Sequence, residues 1–181
     1  NTGQTGGAGG TPNLTINDVS VTEGNAGTNP ATNFIGTTDN QPFNIRANNS
    51  RIGQFTARGT PSSYGDAPSV ALGSSANVAS AVGATVSGGG ATRSSSGTPS
   101  SWQNQATEQF STVSGGVLNT ASGSFSTVSG GTLNTARGSY SVVGGGANNL
   151  ATGSYSIVSG GSENFASGTG STVSGLFSCA G

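Results

Sequence analysis

The sequence predicts an all-β protein dominated by a parallel β-solenoid, a rod in which successive coils of the chain stack on one another. A phrase of fifteen residues recurs from Phe110 to Gly168, and a fixed short period is the signature of a repeat architecture. Within each phrase the repeated residue types alternate as they do in strands. Glycines, 33 in all, fall between the alternating runs, where corners need them.

The repeated positions form columns when the serine of each phrase is counted as position zero. Serine, valine and glycine at positions zero, two and four would share one face of a first strand. Asparagine, alanine and glycine at positions eight, ten and twelve would share one face of a second strand. Each phrase therefore predicts strand, corner, strand, corner, with coils paired at a spacing of about 4.8 Å.

The predicted interior is narrow because only small side chains are available to fill it. Each buried valine contributes about 1.5–3 kcal/mol, whereas ordering the backbone costs about 1–2 kcal/mol for each residue. A core this thin predicts further burial between chains. The predicted solenoid core consists of Val86, Val113, Val128, Val143, Val158, Val173, Ala121, Ala136, Ala151 and Ala166.

An aromatic column precedes the serines and is the predicted surface for burial between chains. We expect it on the face opposite the core, beside Val142 and Ile157, and we interpret it as an inter-chain seam, with a ligand platform as the alternative. The asparagine column predicts a ladder of side-chain hydrogen bonds, or else only a residue that tolerates turns. The aromatic residues are Phe110, Phe125, Tyr140 and Tyr155.

Composition argues against several functions. The 181 residues carry five basic residues, all arginine, six scattered acidic residues and no histidine. A nucleic-acid partner requires a basic stripe, and histidine is the usual general base and the commonest metal ligand. We therefore expect a non-enzymatic protein with no cofactor, metal or nucleic-acid partner. No apolar run is long enough to insert into a membrane, and the Gly/Ser/Thr/Asn-rich composition predicts an extracellular or cell-surface location.

Residues 1–33 predict a flexible arm followed by a short strand. We interpret the strand as an assembly strand that is donated to the sheet edge of a neighbouring subunit; folding back on its own chain is the alternative. Residues 13–25 also resemble the opening strand of Calx-beta domains. The apolar residues of the assembly strand are Leu14, Ile16, Val19 and Val21.

Residues 34–68 predict a β-hairpin with a polar turn at 48–51, followed by a linker. Residues 69–181 predict about seven coils, roughly 34 Å in length. Twelve surplus residues indicate a loop insertion at about 93–107, and insertions in solenoids often lie on the binding face. Trp102 is therefore a candidate ligand contact, or else a plug packed over the core.

The last coil departs from the repeat. Leu176 and Phe177 predict either a cap or a docking surface for the next subunit. Cys179, which the period places in the asparagine column, is either a small buried residue or an intermolecular thiol.

Two stretches of the repeat resemble known families. The run SVALGSSANVA from Ser69 to Ala79 resembles the head repeat of trimeric autotransporter adhesins (YadA-like). Later phrases such as YSVVGGGANNLATGS resemble a related fifteen-residue family of bacterial surface and phage-fibre repeats. The resemblance implies a left-handed parallel β-roll assembled as a trimer, although the adhesin repeat is usually one residue shorter.

We therefore expect a structural subunit of an extracellular bacterial filament or surface fibre. Its main partner would be itself, through β-strand exchange and solenoid stacking. The alternative is a trimeric adhesin head, or a phage-fibre-like receptor-binding module, that recognises a host or surface glycan or protein.

Overall fold

A computed structural model describes residues 42–47, 49–56, 67–95 and 98–181, except for the side chains of 92–95 and 98–101. All of these residues belong to one compact unit, Thr37–Gly181. The described part of the chain is a parallel β-solenoid of about seven coils, which confirms the predicted fold class. The predicted arm and assembly strand, with Leu14, Ile16, Val19 and Val21, lie outside the described residues.

The strands are short because each coil turns a corner after only a few extended residues. In chain order they are β1 (Phe43–Ala47), β2 (Ser50–Thr56), β3 (Ser69–Leu72), β4 (Val78–Ala79), β5 (Thr85–Val86), β6 (Ala91–Ser95), β7 (Thr98–Trp102), β8 (Gln105–Ala106), β9 (Thr112–Val113), β10 (Thr120–Ala121), β11 (Thr127–Val128), β12 (Thr135–Ala136), β13 (Val142–Val143), β14 (Leu150–Ala151), β15 (Ile157–Ser162), β16 (Phe165–Ala166), β17 (Thr172–Leu176) and β18 (Cys179–Ala180).

Two sheets run along the rod. The first sheet has nine strands in the order β1-β2-β3-β5-β9-β11-β13-β15-β17, and the second has seven in the order β18-β16-β14-β12-β10-β8-β4. Each full coil contributes one strand to each sheet, and every pairing between coils is parallel, as in β9 with β11 and β10 with β12. Like residues therefore lie above like residues, as the period predicts.

The core is a column of valines from the first sheet facing a column of alanines from the second. Val128 and Val143 are Cα partners on neighbouring strands, and both side chains have no exposed surface. The side chains of all ten predicted core residues are buried, the most accessible being Val173 at 4%. Ala84 and Ala106 extend the same core.

Glycine is required at the corner after the first strand because neighbouring coils approach there closely. Gly131 has a φ of 84°, a left-handed conformation that favours glycine. A Cβ at Gly131 would overlap the carbonyl oxygen of Gly146 in the next coil. The same corner forms a short third side, where isolated bridges link Val117 to Thr132 and Thr132 to Ala147.

The predicted hairpin is present as the antiparallel pair β1–β2, with Phe43 opposite Phe55. Its second strand, β2, then pairs antiparallel with β3 in the first coil, with Phe55 opposite Val70. The hairpin therefore continues the first sheet instead of standing apart from the solenoid.

The predicted insertion bounds of 93–107 are wrong at both ends. The extra residues form the antiparallel hairpin β6–β7, from Ala91 to Trp102. The chain has already rejoined the coil at Asn104, whose main-chain N–H donates to Oδ1 of Asn77 at 2.9 Å. Ala106 is buried between Ala79 and Ala121 as their strand partner. The physical reason is that an inserted hairpin returns to its starting point, so both columns resume directly after it.

The predicted position of Cys179 in the asparagine column is wrong by one residue. The pairing of β15 with β17 shifts register, so that Gly161 lies opposite Gly175, and the last coil is one residue short. Ser178 takes the column position, and its N–H donates to Oδ1 of Asn164 at 3.0 Å. Cys179 lies opposite Phe165 and is exposed, so the interpretation of a small buried residue is also wrong.

Candidate functional site

The asparagine column is a continuous hydrogen-bonded ladder, as one of its two interpretations predicts. From Asn104 onward each main-chain N–H donates to Oδ1 of the asparagine in the preceding coil, for example Asn134 to Asn119 at 3.0 Å. The Nδ2 group of Asn134 donates to the carbonyls of Gly130 and Gly146, both at 2.9 Å. The column, at most 1% exposed, is Asn77, Asn104, Asn119, Asn134, Asn149 and Asn164.

This ladder is structural rather than a binding surface. Its side chains are buried, and both their donor and acceptor atoms are used within the chain. In the later coils direct side-chain bonds are added, because Asn149 Nδ2 also donates to Oδ1 of Asn134 at 3.0 Å. Buried polar groups need such partners to offset their lost hydration. The asparagine corner is therefore held by a continuous set of buried hydrogen bonds.

The aromatic column lies at the opposite corner, not on the outer face of the first strand as predicted. Its members adopt left-handed backbone angles, with φ between 54° at Phe110 and 60° at Tyr155. The corner turns the chain between the two sheets, so these side chains project from the turn, whereas Val142 and Ile157 lie in strands β13 and β15. The predicted position is wrong because alternation alone cannot distinguish an outer strand position from a corner.

The rings of this column stack on one another along the rod. The centroids of Phe110 and Phe125 are 5.2 Å apart, and those of Phe125 and Tyr140 are 4.9 Å apart. Tyr140 and Tyr155 are also 4.9 Å apart, with their planes within 1° of parallel. The spacing matches one coil, so the backbone rise sets the stacking distance. We call these four residues the aromatic ladder.

The ladder becomes more exposed along the chain. Tyr140 is 46% exposed and Tyr155 is 58% exposed, while Phe110 and Phe125 are half-buried. Within the ladder each inner ring has a neighbour on both faces and presents only its edge outward. An inter-chain seam would therefore contact ring edges, and the seam stays a prediction.

Trp102 lies at the base of the inserted hairpin, opposite Ala91 on β6. Its side chain is 36% exposed, so it is accessible at the point where the hairpin leaves the coil. The role of Trp102 as a ligand contact stays a prediction.

In the first sheet the chain itself covers the first coil, whereas in the second sheet β4 is the outermost strand of the described chain. Strand β2 covers β3, and Gly73 N–H donates to the carbonyl of Ile52 at 2.9 Å. The guanidinium of Arg51 donates to the carbonyls of Ser75 at 2.5 Å and Asn77 at 3.3 Å, which precede β4. The role of Arg51 could not be predicted from the sequence, because no local signal marks a partner 24 residues away.

The last coil has a different character. Strands β17 and β18 are the outermost members of their sheets in the described part of the chain. Leu176, the last residue of β17, is 66% exposed, and Phe177, which follows it, is 71% exposed. A sheet edge beside exposed apolar side chains is a template for pairing with another strand. The first coil and the last coil therefore present different surfaces to a second molecule.

The described ranges contain no group of three or more histidine, cysteine, aspartate or glutamate side chains that could hold a metal ion. They also include no helix that is long and apolar enough to cross a membrane. No protein-family model matches the chain, and no curated protein is significantly similar to it.

Proposed function

We propose that the protein is a non-enzymatic structural subunit of an extracellular bacterial filament or surface fibre. The observation that carries the proposal is the difference between the two outer coils. In the first coil β2 covers β3 while β4 is the outermost strand of the second sheet, whereas in the last coil neither β17 nor β18 is covered within the described chain. A rod whose two outer coils differ in this way is suited to ordered head-to-tail association, a heterologous contact that extends into a filament.

The proposed joint is β-strand exchange. An incoming strand pairs with β17, and its apolar side chains cover Leu176 and Phe177. The donor in this proposal is the assembly strand of a second copy, in which apolar residues such as Leu14 and Ile16 alternate with polar ones. Direct stacking of coil on coil would require β2 to leave β3, so strand exchange is the main contact. The hydrophobic core of the solenoid is made only of valine and alanine, so the apolar area that such contacts bury adds to the stability of the assembly.

Negative-stain electron microscopy of three chain lengths tests this joint. We expect the full chain to form long filaments and a chain lacking residues 1–12 to do the same, because that deletion spares the assembly strand. A chain lacking residues 1–25 should give only short rods. Filaments of normal length from this second deletion would rule out the donated strand, and short rods from every chain would contradict the fibre function.

A second candidate function is a trimeric adhesin head or phage-fibre-like receptor-binding module. It is supported by the hairpin β6–β7, an excursion from an otherwise regular rod with the exposed Trp102 at its base. It is also supported by the outward aromatic ladder, which would serve as the inter-chain seam, and by the fold, which suits either a structural or an adhesin-like repeat protein.

Native mass measurement of two variants tests the seam. Tyr140→Glu places a charge in the ladder, so a trimer joined there should dissociate to single chains, because a buried unpaired charge is costly. Asn148→Glu is the matched control, since Glu163 already occupies the same corner column with φ 58° against 55° at Asn148. A trimeric mass that survives Tyr140→Glu would place the seam elsewhere, and a single-chain mass for the unmodified protein would exclude the trimer.

A further inference from the structure

The β1–β2 hairpin is attached to the first coil without adding to the core. In the part of the chain that the structure describes, no side chain of this hairpin belongs to the core cluster. Its strands have one buried residue, Gly53, and the side chains of Ile45, Ile52 and Phe55 are between 38% and 45% exposed. Segments with few buried apolar contacts open at a lower free energy than the core. The hairpin can therefore leave the rod while the coils stay folded.

The guanidinium of Arg51 fastens the hairpin across the end of the first coil. Its Nη1 group donates to Oε1 of Gln54 in β2 at 2.6 Å. Its Nη2 group donates to the carbonyls of Ser75 and Asn77, which precede β4. Since β2 belongs to the first sheet and β4 to the second, one side chain connects the hairpin to both sheets. Hydrogen bonds from a charged donor are stronger than those between neutral groups.

Arg51 also replaces a donor that a preceding coil would supply. In the next coil the carbonyl of Asn104 accepts a hydrogen bond from the main-chain N–H of Val78 at 3.0 Å. In the first coil the carbonyl of Asn77 accepts one from Nη2 of Arg51 at 3.3 Å instead. The start of the asparagine column is thus capped by a side chain that leaves when the hairpin leaves.

The edge of β3 that the hairpin covers is fitted to the sequence of β2. Phe55 lies opposite Val70, and Gly53 lies opposite Leu72. A Cβ at Gly53 would lie 3.1 Å from Cδ2 of Leu72, closer than an ordinary contact between carbon atoms. A strand that pairs with β3 in this register therefore needs a residue as small as glycine beside Leu72, with an arginine two residues before it. In a second copy of the chain, β2 has both features.

The connection between β2 and β3 is long enough to reach a second molecule. Twelve residues, 57–68, lie between the two strands, whereas a tight antiparallel pair needs about two to five. Fully extended, twelve residues span about 40 Å. The hairpin has therefore enough chain to pair with its own β3 or with the β3 of a second copy.

We propose that the edge of β3 is a docking site for the β1–β2 hairpin of a second copy of this chain, so that two copies exchange hairpins. Each hairpin leaves its own first coil and pairs with the β3 of the other copy. The exchange costs little, because the contacts that are lost within one copy are regained between the two copies. The contact uses neither the assembly strand nor β17, so it goes beyond the proposed fibre function and links two rods at their first coils.

Disulfide trapping in the full chain tests the exchange, with Cys179→Ser in every variant. One chain carries Phe55→Cys and the other, labelled with a heavy isotope, carries Val70→Cys, because these two positions are strand partners. After mixing in a glutathione buffer, we expect a disulfide-linked dimer of one labelled and one unlabelled chain in the mass spectrum. Arg51→Ala in both chains should speed the formation of this mixed dimer about ten- to hundredfold, since hydrogen bonds from a charged group are lost.

Two controls match these variants. Arg46→Ala removes another arginine of the hairpin, whose guanidinium donates to Oδ1 of Asn49 within the hairpin at 3.2 Å. This change should leave the rate within about twofold, as an exposed substitution does. Thr127→Cys in place of Val70→Cys measures random collision, because Thr127 lies in the same outer column of the first sheet, three strands further on. It should give no mixed dimer above background.

A mixed dimer that forms faster with Arg51→Ala, and at an unchanged rate with Arg46→Ala, supports the exchange. No mixed dimer above the Thr127→Cys level, or equal rates for the two arginine variants, would overturn it. Electron microscopy of the same samples keeps the two proposals apart. A mixed dimer without filaments contradicts only the fibre function, and filaments without a mixed dimer contradict only the exchange.

Discussion

Each coil turns at two corners, and the two turns are stabilised in different ways. At the asparagine corner the turn is held by buried hydrogen bonds, as at Asn134, which bonds to groups in its own coil and in both neighbouring coils. At the aromatic corner the turn is exposed, and rings such as Tyr140 stack outside the core. The asparagine corner is polar and buried, whereas the aromatic corner is apolar and half-exposed to solvent.

The difference shows which corner tolerates interruption. The asparagine ladder has no missing member from Asn77 to Asn164, and even the shortened last coil supplies Ser178 as its partner. The aromatic column, by contrast, has glycine at Gly83 and Gly170. A missing asparagine side chain would leave partners in its own coil and in the next coil without its hydrogen bonds, which is costly. A missing ring costs only its own stacking, and at Gly83 the ring of Phe110 lies in the place that a Cβ would take.

The largest effect is expected from Asn134→Ala. The change removes the partner of the carbonyl of Gly130 and of the N–H of Asn149, whereas the carbonyl of Gly146 keeps the N–H of Thr132 at 2.9 Å. At about 1–3 kcal/mol for each unsatisfied buried group, we expect a loss of about 2–6 kcal/mol in the free energy of unfolding. Urea denaturation followed by circular dichroism measures it.

The control for this change is Asn148→Ala at the neighbouring position, where the side chain is exposed and φ is 55°. Alanine there loses only the tolerance of asparagine for left-handed backbone, at most about 1–2 kcal/mol. Equal losses from the two variants would show that the ladder does not hold the asparagine corner.

A smaller loss is expected from Gly138→Ala, which lies just before the aromatic corner. The new Cβ would overlap the backbone of Gly153 and lie 2.9 Å from the carbonyl oxygen of Thr152. Forcing two coils apart should cost about 3 kcal/mol, measured as a lowered urea midpoint. Gly115→Ala has no atom within 4 Å of the new Cβ and should leave stability unchanged or raise it by about 0.4–1 kcal/mol.

Tyr140→Ala tests the aromatic corner directly. Tyr140 stacks on Phe125 and Tyr155, each at 4.9 Å, and each stacked pair contributes about 0.5–1.5 kcal/mol. We therefore expect a loss of about 1–3 kcal/mol in thermal and urea denaturation. Tyr140→Phe keeps both stacked pairs and should stay within about 0.5 kcal/mol of the unmodified chain. A full loss in Tyr140→Phe would assign the stability to the hydroxyl group instead.

The smallest effect distinguishes two serines of the same buried column. Within the described residues the Ser141 hydroxyl is buried and has no hydrogen-bond partner, so Ser141→Ala should raise stability by about 1 kcal/mol. Ser111 Oγ donates to the carbonyl of Glu108 at 2.6 Å, so Ser111→Ala should lower stability by a similar amount. Shifts of the same sign in differential scanning calorimetry would contradict this assignment.

The repeated part of the fold could be predicted from the sequence because its residues specify one another. A valine every fifteen residues can be buried against the same valine in the next coil only if the coils stack, and Val128 and Val143 do so. Glycine at Gly131 and asparagine at Asn134 mark one corner by the same logic, since both recur every fifteen residues between Phe110 and Gly168.

The remaining features depend on contacts that the period does not encode. The pairing of β2 with β3 is antiparallel and occurs once, and the hydrogen bonds of Arg51 reach across 24 residues. The return of the inserted hairpin was marked by a signal in the sequence: Asn104 and Ala106 have the same spacing as Asn77 and Ala79. The one-residue shift before Ser178 had no such signal, because serine also occurs at other positions of the repeat.

The hairpin β6–β7 interrupts one coil without disturbing the columns on either side. Asn77 and Asn104 are 27 residues apart, and the hydrogen bond between them is 2.9 Å long, against 3.0 Å for Asn119 and Asn134, which are 15 apart. The hydrogen bonds to adjacent coils, and not the number of residues between the bonded partners, therefore determine the position of each coil. The entropy cost of closing a loop grows only slowly with the length of the loop. The segment after Gly90 can therefore be replaced by a segment of another length while the solenoid that carries it stays the same.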